Sequence, residues 1–327
     1  MFSRRKFIST LALSALSAKK VVANLRTTTA STSACSWTSE IEPKSIAIVG
    51  DLQRTSAAER ILLSRAQNDA EREAILNKIA DDRPEMLLLV GDQVSTGDDD
   101  EDWGYFDRVI RPVNDAKIPV RAMYGNHDYG LDRNHCIRNF SERFPYQSDE
   151  PHGVTRLGRI ALVTVDSNFD QMSQSDIYRQ SEHFRKALGE LEEDRTVSGI
   201  IVSSHHPPYT NSDMGANDDV ISMFAEPFLR ARKTRLFISG HVHSYERFVA
   251  GDKIFMVTGG GGGPRRTVST ASDRPFQNDA YRTGTIRPFH YVQLDVSDTA
   301  ITAEVRMLQK SGFKVGDRFS LGLYPQA

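Results

Sequence analysis

The chain has 327 residues, 39% hydrophobic and 26% charged, enough apolar material for a sizeable core; disorder is excluded for most of its length. Two cysteines, Cys35 and Cys136, are too few for a disulfide scaffold or a cysteine-built metal cluster, and no apolar run reaches the ~18 residues of a membrane span. The formal charge of −2 conceals an asymmetry: without residues 1–23, which carry five basic side chains and no acid, 36 basic residues face 43 acidic ones, which argues against a nucleic-acid-binding surface.

Residues 1–23 read as an address. Arg4-Arg5-Lys6 precede a short apolar stretch, Phe7 to Ala18, and Val21-Val22-Ala23 offers a small-residue exit, so cleavage is placed near Ala23. The adjacent arginines resemble a bacterial twin-arginine export signal. That resemblance implies export machinery of this type as a partner and a periplasmic or secreted location. Residues 24–43, with Thr27-Thr28-Thr29, are a polar linker, and the folded domain spans 44–327. An oxidising compartment would permit a Cys35–Cys136 disulfide.

From residue 44 short apolar runs alternate with helical ones. Ser45–Val49 is a predicted strand, 56–81 carries apolar residues at helical spacing from Ile61 to Ile79, and Met86–Val90 is a second strand. Helix is predicted over 100–115, strand over Val120–Tyr124 and Ile160–Val165, and helix over 176–192. Strand follows at Gly199–Ser203, helix at 218–232 and strand at Leu236–Ile238. Beyond Arg247 the chain becomes strand-rich, over Lys253–Thr258, Tyr291–Val296 and Ile301–Met307. Strands alternating with helices and closed by a β-rich tail predict an α/β sandwich of two sheets.

Polar residues gather where these strands end: Asp51 and Gln53, Asp92, Asn126-His127-Asp128, His205, then His241 and His243. Strand C-termini are where open α/β sheets gather ligands. Carboxylate, amide and imidazole donors without thiolate suit Mn, Fe or Zn. A lone Gly-Asp is usually a turn; five such endings in this order, each after an apolar strand, are not.

The order Gly50-Asp51, Gly91-Asp92, Gly125-Asn126-His127-Asp128, His205-His206-Pro207-Pro208, Gly240-His241-Val242-His243 resembles the calcineurin-like metallophosphoesterase superfamily. His205–Tyr209 and Gly240–Arg247 are similar to its purple acid phosphatase branch. The resemblance implies a four-layer αββα sandwich of two mixed sheets flanked by helices. It also implies a hydrolase with two divalent ions, in which a metal-bridging hydroxide attacks phosphorus. By position, Asp92 would bridge the ions, Asp51 and His243 would hold the first, and Asn126, His205 and His241 the second. Gln53 stands where many members place a histidine ligand, and its amide oxygen is a harder, weaker donor. His127 would serve the leaving group, oriented by Asp128. Ser95 replaces the branch's metal-binding tyrosine, so divalent ions are expected rather than a ferric–tyrosinate pair. A phosphomonoesterase is the leading reading; the alternatives are a phosphodiesterase or pyrophosphohydrolase acting on nucleotides or lipid head groups, and a non-catalytic metal-binding protein of the same fold.

Other features carry less. His135, His152, His183 and His290 lack ligand spacing, and Asp98–Asp102 reads as a solvated loop. Gly259–Gly263 is not a nucleotide fingerprint, since no strand–helix unit follows it; as a loop near the site it could bring Arg265 or Arg266 to a phosphate. Tyr245, Glu246 and Arg247 are expected behind His243.

Overall fold

The computed structural model describes residues 36–38, 42–145 and 151–325; the predicted signal segment, most of the linker and Cys35 lie outside them. The strands are β1 (Ser36–Thr38), β2 (Ser45–Val49), β3 (Met86–Leu89), β4 (Val120–Ala122), β5 (Gly153–Leu157), β6 (Ile160–Thr164), β7 (Gly199–Ser203), β8 (Thr234–Ser239), β9 (Tyr245–Ala250), β10 (Lys253–Thr258), β11 (His290–Val296), β12 (Ala300–Gln309) and β13 (Gly312–Gly322). One sheet has the order β13-β12-β11-β2-β3-β4 and the other β1-β5-β6-β7-β8-β10-β9. Both are mixed: β2, β3 and β4 run parallel, as do β6, β7, β8 and β10, while β11–β13, β5 and β9 pair antiparallel.

Alternation along each strand divides the core. Ile46, Ile48, Leu88, Ile201, Ile238, Met256 and Val292 point between the sheets, all buried. On the far face of the six-stranded sheet, Ala47, Val49, Leu87 and Leu89 meet α2 (Asp69–Asp82), α3 (Asp100–Val109), α4 (Arg111–Asp115) and α5 (Arg133–Arg143). On the far face of the seven-stranded sheet, Val163, Ile200, Val202 and Phe237 meet α6 (Gln174–Glu193) and the helical run 218–230, whose middle turn Ile221–Ala225 is π-helical. Helix, sheet, sheet, helix: the four expected layers are present.

The predicted helix over 56–81 is two helices. α1 (Ala57–Leu63) closes on Ser64 with φ 51°, and α2 opens after Asn68 with φ 57°. Tethers win over periodicity here: Thr55 Oγ1 donates to Ala66 O at 2.5 Å and Asn68 Nδ2 to Gly262 O at 3.1 Å, drawing the intervening turn onto the strand-end loops. Ile61 and Leu62, which fall within that helical spacing, are therefore 78% and 77% exposed. The acidic run is a helix cap rather than a loop, because Asp99 accepts from the amides of Glu101 and Asp102 at the start of α3.

Candidate metal centre

Every predicted site residue lies at the C-terminal end of a strand in the two-sheet sandwich. Asp51 and Gln53 follow β2, Asp92 follows β3, and Asn126, His127 and Asp128 follow β4 in one sheet; His205 follows β7, and His241 and His243 follow β8 in the other. The loops are stitched together within and between the sheets: Asp51 N donates to Gly91 O at 3.0 Å in one sheet, Gly240 N to His205 O at 3.0 Å in the other, and Gly263 N to Asp51 O at 2.9 Å from one to the other.

Backbone strain marks the centre. Eight described non-glycine residues have left-handed φ, and four of them are Asp51 (61°), Asp92 (54°), His241 (68°) and His243 (49°). Such conformations cost on the order of 1–3 kcal/mol each and persist only where surrounding structure over-determines them. Glycines supply room and, at Gly91 with φ 97°, turn geometry as well. A Cβ at Gly125 would lie 2.1 Å from Asp92 Oδ1, and one at Gly263 would lie 2.8 Å from the His243 ring.

Donor atoms converge in two sets that share one carboxylate. Within each of Asp92, His205, His241 and of Asp51, Asp92, His243, the ligand atoms lie within 4.8 Å of one another. Asn126 Oδ1 joins the first set, 3.1 Å from His205 Nε2 and 2.9 Å from His241 Nδ1. Gln53 joins the second, its Nε2 3.1 Å from Asp92 Oδ2 and 2.9 Å from His243 Nε2.

The histidine tautomers follow from their backbone partners. His205 Nδ1 faces Val90 O at 3.0 Å and His243 Nδ1 faces Pro264 O at 2.9 Å. A carbonyl only accepts, so each Nδ1 carries the proton and each neutral ring turns its Nε2 lone pair inward. There the lone pairs meet further acceptors: His205 Nε2 is 3.3 Å from Asp92 Oδ1, and His243 Nε2 is 3.3 Å from Asp51 Oδ1. Acceptors facing acceptors require positive charge between them. Without a cation a proton does this work on His205: burial would lower its pKa, but Asp92 and Asp51 push it up to about 10. His241 shows the converse, held down to about 2 by burial and by the neighbouring His205 charge. For Asp92, burial would favour the neutral acid, yet the His205 and His127 charges hold its carboxyl well below the usual range. The Gln53 amide supplies a second stand-in, directing an N–H at Asp92 while its Oε1 is buried without a partner. Rotating that amide end for end would aim the unpaired oxygen into the same space, so the donor set fits divalent cations.

Asp128 departs from expectation. Its carboxylate does not orient His127 but accepts from four backbone amides: Gly125 at 2.7 Å, Asp92 at 2.9 Å, Gln93 at 2.9 Å and Val94 at 3.4 Å. It holds the strained turn that presents Asp92. Burial and the Asp92 charge push its carboxyl up to about 7, while the four amides require the ionised form. His127 is oriented instead by Ser95 O, 2.8 Å from its Nδ1, and its own amide donates to Asp92 Oδ1 at 2.9 Å. Burial would lower the His127 pKa, but Asp92 and Ser95 O raise it. Ser95 Oγ donates to Arg54 O at 2.6 Å, turned to the backbone rather than the centre. His206 takes no part in either set; it bonds Ser167 Oγ at 2.9 Å, and burial with the His205 charge lowers it to about 4.

Tyr245, Glu246 and Arg247 also sit elsewhere than expected. Tyr245 and Arg247 bind Asp317 at 2.8 and 2.7 Å, and Glu246 accepts from Asn211 N at 2.8 Å. The residue the sequence did not single out is Arg72. Fully buried, it donates to Leu52 O at 2.5 Å, Gln53 O at 2.8 Å, Gly262 O at 3.2 Å and Tyr105 Oη at 2.9 Å, clamping the Gln53 loop to the glycine loop. Its position in a charged helix gave no signal.

Residues 44–245 match the calcineurin-like phosphoesterase family, more than half of the chain. The chain belongs to that family. It is similar to purple acid phosphatase 15 of Arabidopsis thaliana, 27% identical over 154 residues that cover 44% of this chain and 28% of the relative. It is also similar to the Arabidopsis thaliana protein named "Probable inactive purple acid phosphatase 9", 24% identical over 210 residues, 54% of this chain and 31% of the relative. The chain thus spans about a third of the length of these curated relatives. In fold it resembles the purple acid phosphatase PPD1 from yellow lupin (Lupinus luteus) seeds, with a TM-score of 0.65 and 17% identity over 86% of this chain and 54% of that one.

The reassignment of Asp128 has a direct test. Asp128→Asn leaves one acceptor oxygen for four amides and should cost about 1–3 kcal/mol in unfolding free energy, with metal content falling in parallel. Denaturant titration and metal analysis of the purified variant read both; a stable, fully metal-loaded variant that only turns over more slowly would restore the orienting role.

Proposed function

We propose that this family member is a metal-dependent phosphatase that hydrolyses phosphomonoesters with two divalent cations. Asp51, Gln53, Asp92 and His243 would hold one ion, and Asp92, Asn126, His205 and His241 the other. The observation that carries this reading is the inward convergence of imidazole lone pairs on two buried carboxylates, which leaves cationic charge as the missing component. When bound, such ions supply Lewis acidity towards phosphate oxygens and acidify water. The side chains available, and Ser95 turned away to Arg54 O, favour divalent Mn, Fe or Zn over a tyrosinate-bound ferric ion.

The chain's own groups divide the remaining work. His127, held by Ser95 O through Nδ1 and with its pKa raised by Asp92 against the effect of burial, has Nε2 as the ring atom able to give a proton to the leaving oxygen. Asp128 keeps Asp92 in place beneath it. Gln53 must exchange its N–H contacts for its oxygen, which makes the first ion position the more weakly held of the two. The rival reading, a fold retained without turnover, draws on Gln53 and on the name of one relative; the complete second ligand set and His127 favour an enzyme.

Activity on p-nitrophenyl phosphate with Mn²⁺, abolished by chelator and well above that on bis(p-nitrophenyl) phosphate, is the expected outcome; the reverse preference would make the protein a phosphodiesterase, and no turnover with metal bound would favour the non-catalytic reading. In the same assay His127→Ala should retain its metal and lose roughly 10²–10⁴ in rate on alkyl phosphates, with a smaller loss on the p-nitrophenyl ester. Equal losses on both would argue against proton donation.

We propose further that Arg4-Arg5 direct export by the twin-arginine route. Replacing both with lysine should leave the phosphatase in the cytoplasmic fraction of expressing bacteria; unchanged periplasmic activity would remove this proposal.

A further inference from the structure

Arg72 and Arg266 border the same loop and make opposite use of their guanidinium groups. Arg72 spends its donors on Leu52 O, Gln53 O, Gly262 O, Asp69 and Tyr105. Arg266 Nε is buried with no hydrogen-bond partner, although the residue keeps part of its surface in solvent. A buried guanidinium N–H without an acceptor is costly and calls for an explanation.

The backbone fixes Arg266 beside the metal centre. Its amide donates to His243 O at 3.4 Å, and Pro264 O, two residues earlier, receives His243 Nδ1. On one side the loop after β7 lies alongside, through the bridge between Ser212 and Val268 and the bond from Ser269 N to Asn211 O at 2.8 Å. Arg65, whose neighbour Ala66 is tied to the Gln53 loop through Thr55, is near enough for its charge to act on Arg266. Burial, and then the Arg65 charge, depress the Arg266 pKa, with Asp213 and Glu59 opposing. Neither acid answers the need. Glu59 already pairs with Arg65 through one oxygen and binds Ser56 N and Oγ through the other at 3.1 Å. Asp213 is exposed, so water screens its charge. Arg54 Nε is also buried unpaired, but that guanidinium stacks on Tyr105, 4.6 Å from the ring centre. Arg266 thus belongs to the loop that adjoins His243 and carries an Nε with no acceptor, while nearby Arg65 already has Glu59 for a partner.

We infer that Arg266 is a binding subsite for a second phosphate group on the substrate, so that this site prefers compounds carrying two phosphates over simple monoesters. The guanidinium fork matches two phosphate oxygens, and a charge-assisted pair of bonds would give Nε the acceptor it lacks. The inference rests on the phosphoesterase reading of the metal centre.

Equilibrium binding separates the two claims. Isothermal calorimetry on the Mn²⁺-loaded protein would compare propylphosphonate with propane-1,3- and hexane-1,6-bisphosphonate, none of which can be hydrolysed. The expected result is that one bisphosphonate binds about 10- to 100-fold more tightly than the monophosphonate. Arg266→Ala should erase that ratio with Mn²⁺ stoichiometry unchanged, and Arg266→Lys, which keeps the charge without the fork, should retain part of it. A wild-type ratio near one, or a ratio that survives Arg266→Ala, would overturn the subsite. Turnover of propyl phosphate by the wild type tests the phosphoesterase reading on its own; its absence would count against that reading while the phosphonate ratios still decide the subsite.

Discussion

Asp51 and Asp92 are 0% and 1% exposed carboxylates, Asp92 beside the imidazoles of His205, His241 and His243 and Asp51 beside that of His243, and much of the surrounding structure serves to keep them there. Burying one unpaired carboxylate is costly, and burying two beside inward-facing lone pairs is worse. Protonation of His205 and the amide of Gln53 relieve part of that burden. A pair of cations would relieve all of it. The family's chemistry and the protein's electrostatic deficit therefore have a common origin.

Holding such an arrangement demands rigidity from below. Left-handed backbone at Asp51, Asp92, His241 and His243 stores strain that four layers of packed helix and sheet must bear. Asp128 gathers the amides of the Asp92 turn, and Arg72 fastens the Gln53 loop to the glycine loop, which in turn packs against His243. These two buried charges do mechanical work at the base of the site. Arg266, in the loop that adjoins His243, keeps an Nε without an acceptor.

The sequence made the donor set legible because each ligand follows an apolar strand, and strand ends converge whatever the loops between them do. It made the layers legible because buried parallel strands are continuous apolar runs: Gly199–Ser203 and Lys253–Thr258 have the predicted limits. Roles that depend on which atom faces which were not legible. Asp128 adjoins His127 in the chain, so proximity suggested a pair, whereas the turn aims its carboxylate at amides thirty-odd residues away. The helix over 56–81 was misread because periodicity records apolar spacing and not the tethers from Thr55 and Asn68. β13 went unseen for a related reason: as an edge strand exposed along much of its length, it lacks a clean alternation. Arg72 is indistinguishable from a solvated arginine until its donors are followed one by one, whereas the glycine loop had already pointed to Arg265 or Arg266 without separating them.

The central claim is that Asp92 stands between two adjoining cation positions. Electron paramagnetic resonance during titration of the metal-free protein with Mn²⁺ tests it most directly, because ions that share a carboxylate are magnetically coupled and separate ions are not. The account predicts two Mn²⁺ per chain: an isolated-ion spectrum at the first equivalent, filling the His205–His241 position, replaced by a coupled-pair spectrum at the second. Saturation at a single ion, or two ions whose spectra simply add, would contradict it.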